Sequence, residues 1–299
     1  MLSRLGARYS MPDRIATIRA AERTTRDLRV LFGRLGTKEH PRGRILAAYR
    51  NAHRALRDVF RRVQGPQAIY EAREVLEALR REVLGVGGQA LDEAIALGRR
   101  QAEVERQVWE LDPLDMATPN ARAMMDGWIA TVDEQIAYAL AVLATEGDPV
   151  LILGDDERVG RLRYSDTTRA GALWVATAAM QALWVSLQGP QESSGLSWSK
   201  EVIATIDERT TDCCLNAHGQ VVPFDSDFKL TGTPRYADEL DWSPFHDYCR
   251  TSIASVPTEL AEDDLTRQMR DAARAELEAR ERTGEVQEIH PSHARSRRG

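Results

Sequence analysis

Between Pro12 and Leu187 the apolar residues recur at helical spacing, and the breaks in that pattern are almost all Gly or Pro. A chain patterned this way builds a helical body before anything else. Ile15, Ile18, Leu28, Leu31, Phe32 and Leu35 share one helix face after a start signal at Pro12-Asp13. Pro41 opens a second helix carrying Ile45, Leu46, Tyr49, Leu56, Val59, Phe60 and Val63, in which His53 reads as a packed core histidine. Gly65-Pro66 precedes a third helix with Ile69, Tyr70, Val75, Leu76, Leu79 and Val83, and the run GVGG at 85–88 reads as the turn that ends it. That run is not a phosphate loop, because no strand precedes it and no Lys-Ser or Lys-Thr pair follows it.

A fourth helix reaches about Trp109, where Asp112-Pro113 closes it. Thr118-Pro119 has the form of a cap and first-turn proline for a helix bearing Met124, Trp128, Val132, Ile136, Leu140 and Leu143. Residues 150–153 read as a short strand. Asp166 caps a long helix whose stretch 170–191 is uncharged and is read as stopping at Gly189-Pro190. That stretch is Ala-rich and broken by Thr177, Gln181 and Ser186, so it reads as a buried core helix and not as a membrane span.

Charge is unevenly placed. The chain carries −6 overall, yet residues 1–64 hold 16 Lys and Arg against 5 Asp and Glu, leaving −17 on the remainder. A basic arm on an acidic body suits DNA phosphates or an acidic protein surface. Arg14, Arg19, Arg23, Arg26, Arg50, Arg54, Arg57 and Arg61 are the candidate contacts. The N-terminal stretch MLSRLGARYSMPDR lacks the apolar core of a signal peptide.

After Gly189 the texture changes. GPQESSG reads as a polar linker, and β-branched, aromatic and turn residues then replace Ala and Arg. The pattern predicts a strand over 202–206 and a hairpin turn at His218-Gly219 into Val221-Val222. This compact segment ends near Ser255. Pro257-Thr258 then starts a last helix, charged nearly all round, that reaches about Arg282, and the polar tail from Gly284 onward reads as disordered.

All three cysteines, Cys213, Cys214 and Cys249, lie in the segment 207–251 together with His218 and His246. Three cysteines are too few for a disulfide scaffold and fit a reducing compartment. Cys214, His218, His246 and Cys249 form two short-spaced pairs that can supply four tetrahedral zinc ligands. The competing reading buries the thiols and hydrogen-bonds the histidines to loop carbonyls.

The same segment resembles the signature of the Mu F-like head-morphogenesis family of tailed phages. That signature runs Asp-x-Arg-x-Cys-x-x-Cys, then a Gly and a Pro, and later His-x-x-Cys-Arg-Cys. Asp207, Arg209, Cys214, Gly219 and Pro223 match its first half, and His246, Cys249 and Arg250 match its second. The first and last signature cysteines fall on Thr211 and Thr251, so a four-cysteine site is not available. The expectation is therefore a vestigial centre without cofactor, with zinc as the alternative.

The resemblance implies a structural minor head protein (a minor capsid protein) of a tailed phage or prophage. Such a protein is portal-associated and acts in head assembly, and in DNA packaging or ejection, without being an enzyme. It implies the portal protein and the major capsid or scaffold protein as partners, phage DNA through the basic helices, and no membrane. It also implies the virion head as location, with the host cytoplasm during assembly. The alternative is a metal-dependent nuclease using His218 and His246, for which no Asp-His pair, Glu-x-x-His or paired-carboxylate motif is visible. The expected fold is mainly α, with a helical N-terminal region followed by a small α+β module of short strands and a C-terminal helix. Its expected parts are a basic arm at 1–64, a helical body at 65–189, the Mu F-like module at 190–256, the charged helix at 257–283 and the tail at 284–299.

Overall fold

The computed structural model describes residues 11–32, 37–114, 121–145, 162–246 and 249–283. The chain is mainly helical, with a small sheet of short strands and a C-terminal helix. The helices are α1 (Met11–Phe32), α2 (Pro41–Arg62), α3 (Pro66–Val108), α4 (Ala121–Thr145), α5 (Tyr164–Ser193), α6 (Asp212–Ala217) and α7 (Asp264–Thr283). The strands are β1 (Trp198–Ala204), β2 (Val221–Pro223), β3 (Phe228–Lys229), β4 (Glu239–Leu240) and β5 (Thr251–Pro257).

Two compact units are present, each assembled from separate stretches of chain. One comprises 28–94 and 120–178, and the other comprises 1–27, 95–119 and 179–299.

In the first unit, Phe32 meets Trp128 edge-on at 5.4 Å, and both side chains are fully buried. The Tyr49 hydroxyl lies 2.6 Å from Thr167 Oγ1, and Trp128 Nε1 donates to the Thr167 carbonyl at 3.1 Å. His53 is buried, with Nε2 3.0 Å from the Leu162 carbonyl, as a packed core histidine should be.

The predicted turn at 85–88 does not form, and α3 runs through it without a break. Val83, Val86, Ala90 and Leu91 are all buried, so packing outweighs the roughly 1 kcal/mol that each helical glycine costs. Gly87 has a further reason to be glycine. A Cβ there would lie 2.1 Å from the Trp128 ring, so its absence lets the indole lie against the helix.

The long apolar helix also continues past its predicted stop, through Pro190 to Ser193. Pro190 falls in the last turn, where it forgoes its own N–H bond back to Ser186, and its carbonyl still accepts from Ser194 N. The stretch read as a linker therefore begins as helix. Among the described residues α5 alone is long and apolar enough to cross a membrane, and half of its most apolar window is buried. The predicted cap at Thr118-Pro119, the strand at 150–153 and the tail from Gly284 lie outside the described residues.

The second unit contains an antiparallel sheet of order β2-β1-β5 and a separate β3-β4 pair. Strand β1 spans Trp198–Ala204, earlier than the predicted 202–206, and pairs with β5 over its whole length. Every residue of β5 is buried. Such a strand cannot show the alternation of a half-exposed one. Ala21, Ile203, Ala254 and Met269 form an apolar cluster here, with Ile18 and Leu265 packed on it.

The predicted hairpin at His218-Gly219 is corrected. Strands β1 and β2 do pair, but α6 intervenes between them, and His218 is the C-cap of that helix. After β5 a single 3-10 turn, Thr258–Leu260, precedes α7, so the last helix starts later than its Pro257-Thr258 signal.

Candidate functional site

The segment 207–251 folds so that the two halves of its pattern meet. Thr211 is the N-cap of α6, and its hydroxyl accepts from Cys214 N at 3.3 Å. That cap fixes the first turn and presents Cys214 inward. Cys249 lies just before β5, and β1 holds β5 in register. As a result Cys214 Sγ lies 3.6 Å from Cys249 Sγ and 3.0 Å from His246 Nε2. The three donor atoms lie within 4.8 Å of one another, and all three residues are buried.

Thr211 and Thr251 both border this cluster. Thr211 Oγ1 lies 2.9 Å from His246 Nε2. Thr251 is buried, and its Oγ1 makes no hydrogen bond of ordinary geometry. It still lies close enough to both thiols to favour their ionised forms.

Burial, and then the neighbouring Cys249, hold the Cys214 thiol far above its ordinary pKa. Burial also acts against ionisation of Cys249. The Cys214 thiol and the His246 charge outweigh it and bring Cys249 well below its ordinary value. The two thiols are thus shifted in opposite directions. Cys213 takes no part in the cluster, and burial pushes its thiol up to about 12.

His218 does not join the cluster, which corrects the four-ligand set. Its Nδ1 accepts from Ala204 N at 2.8 Å, so the ring serves the end of β1. Burial lowers its pKa to about 4, so it is neutral at ordinary pH. The geometry also gives no His218–His246 pair for the nuclease alternative. One ring is committed to backbone, and the other faces Thr211 and Cys214.

Asp207 and Arg250, one from each half, form a two-pronged ion pair with both contacts at 2.6 Å. Asp207 Oδ1 also accepts from Arg209 N at 2.9 Å. Burial raises the Asp207 pKa, but Arg250 and this backbone donor bring it below its ordinary value. The Arg209 side chain is largely exposed and lies against Glu208 at 3.8 Å.

Gly219 has φ +71°, in the left-handed region. A Cβ there would lie 2.8 Å from Arg270 Cγ, and the Gly219 carbonyl accepts from Arg270 Nε at 2.8 Å. Both the backbone and the space call for glycine.

Sequence reasoning missed Arg280. From the charged helix α7 it donates to the carbonyls of Thr210 and Asp207 at 2.7 and 2.9 Å, and it pairs with Asp212 at 3.1 Å. It thus ties the 207–212 loop to α7. Arginine is common in charged helices, so its spacing there gave no signal.

Of the eight candidate arginines, Arg14 is withdrawn from the surface set. It is buried, and its guanidinium is bonded to Glu201 at 2.5 Å and to Asp263 at 2.6 Å. Arg19, Arg23 and Arg26 lie exposed on α1, and Arg50, Arg54, Arg57 and Arg61 lie exposed on α2. Steps of three and four residues place each set along one helix face.

No family model, characterised protein or solved structure matches this chain. The reading of the centre rests on its own residues.

Proposed function

We propose that the chain is a structural minor head protein of a tailed phage or prophage, bound near the portal and acting in head assembly rather than in catalysis. The observation that carries this reading is the convergence of the two half-signatures. Asp207 grips Arg250 while Cys214 meets Cys249 and His246. These are the positions at which the chain resembles the Mu F-like family, and here they tie two loops together. Structural tying suits a protein whose work is to hold partners in place.

The reading has a direct test. Heads purified from particles made by cells that encode this chain should contain it in few copies per portal. Deletion of its gene should yield heads that are fewer or poorly filled. Particles that lack the chain and assemble normally without it would remove the proposal.

The exposed arginines of α1 and those of α2 supply the DNA-facing groups of this reading. The full chain should bind duplex DNA with an affinity that falls as salt rises. Changing Arg50, Arg54, Arg57 and Arg61 together to Gln should flatten the log–log salt slope by up to about 3–4 units, at about 0.9 for each phosphate that is no longer neutralised. A slope unchanged by these replacements would assign the surface to an acidic protein partner instead.

A further inference from the structure

We propose that Cys214, His246 and Cys249 together bind one closed-shell, thiophilic divalent cation, of which zinc is the representative, as a staple between α6 and the stretch just before β5. The signature the chain resembles has four cysteines. This site keeps two of them and works with three protein donors.

Distances give the first reason. Zinc bonded to sulfur at about 2.3 Å and to imidazole at about 2.0 Å sets tetrahedral edges of about 3.8 Å between sulfurs and about 3.6 Å between sulfur and nitrogen. The observed edges are 3.6 Å between Cys214 and Cys249 and 3.0 Å between Cys214 and His246. Movements of about half an ångström at the ends of side chains bring the second edge to the length that zinc requires. Two sulfurs and an imidazole select a soft or borderline cation over magnesium or calcium, which take oxygen ligands.

Charge gives the second reason. Two thiolates and a divalent ion are neutral together, so the bound centre buries no net charge. Binding releases the protons of the two thiols to solvent and leaves the imidazole neutral, with Nε2 bonded to the ion.

The third reason is the hydroxyl beside the sulfurs. Thr251 Oγ1 is buried beside the sulfurs with no hydrogen bond of ordinary geometry among the described residues. Thiolate sulfurs on a metal accept hydrogen bonds, and this hydroxyl is placed to supply one once the ion is present. Thr211 borders the centre at Nε2. The lost cysteines have thus become positions for supporting donors.

Occupancy of this centre is independent of the assembly role, and a different assay reads it. Full-length protein, purified under reducing conditions, is loaded with zinc and dialysed against metal-free buffer. One zinc per chain is expected in the wild type. Cys214→Ala, His246→Ala and Cys249→Ala should each lose it, while Cys213→Ala and His218→Asn keep it. Because any variant can misfold, cobalt(II) is also loaded into the wild type, where thiolate-to-cobalt absorption should show two sulfurs on the ion. Three results would overturn the proposal. They are folded wild type that retains no zinc, a Cys214–Cys249 disulfide that survives reductant in place of metal, and zinc retained equally by all six proteins.

Discussion

Replacing Arg14 with Met should lower the stability of the fold by about 3–5 kcal/mol, the usual cost of leaving a buried charge without its partner. The side chains of Arg14 and Glu201 are 3% and 2% exposed and meet at 2.5 Å. Arg14 also donates to the Leu260 carbonyl at 2.9 Å and to Thr266 Oγ1 at 3.1 Å. Glu201 accepts from Thr266 Oγ1 at 2.8 Å. In the Met variant the Glu201 carboxylate keeps one hydroxyl donor and loses its countercharge. The double variant Arg14→Met with Glu201→Leu should recover most of the loss, because the fully buried carboxylate goes with its partner and only the part-exposed Asp263 is left without Arg14. Chemical denaturation of the four proteins measures the coupling. A single-variant loss no larger than that of exposed Arg19 would show that the pair does not hold the unit together.

The second large effect is a loss of stability as pH rises through neutrality, set by Glu105. This carboxyl is fully buried and accepts from Ser255 N at 3.1 Å and Gln101 Nε2 at 2.8 Å, with the Ser255 hydroxyl also bonded to it. Burial raises its pKa to about 7, and these donors offset only part of the rise. A carboxyl with a folded pKa above its unfolded value binds more protons in the folded state. Its contribution is therefore fully present below about 4.5 and is lost as pH climbs through about 7. At 1.36 kcal/mol per unit the loss is about 3 kcal/mol.

Asp207 acts in the opposite sense, since its lowered pKa adds stability above its unfolded value. The quantity to measure is thus the difference between wild type and Glu105→Gln across pH 4–8. The Gln variant should become relatively more stable as pH increases. A difference that stays flat with pH would mean that Glu105 titrates in the fold as it does in the unfolded chain.

How far the sequence was readable differs by element. The helix faces of α1 and α2 were legible because Leu28, Leu31 and Phe32 on the first, and Ile45, Leu56 and Val59 on the second, repeat at the helical period and are buried where that period puts them. The turn at 85–88 was misread because glycine is locally a weak helix former, and only the facing Trp128 ring explains its presence. Strand β1 was placed late because Lys200 and Glu201 look like solvent-facing residues. In the fold both are buried, Glu201 against Arg14 and Lys200 against Asp241 and the Trp242 ring. Burial lowers the Lys200 pKa to about 8. A strand whose charges find partners from distant segments carries no local sign of being core.

The segment 207–251 divides in the same way. The sequence by itself determined which residues were candidates, because cysteine, histidine and the paired Asp and Arg are few and fall in two short runs. It also determined that the segment holds three cysteines and no more. Only the tertiary structure decided which candidates meet. It set His218 on the backbone of Ala204, brought His246 to Cys214 and Cys249, and placed Arg280 over the loop from a helix about seventy residues away in the chain. The physical reason is that spacing along the chain fixes neighbours only within a turn or a strand. Contacts between α6, β5 and α7 are chosen by the packing of the whole unit.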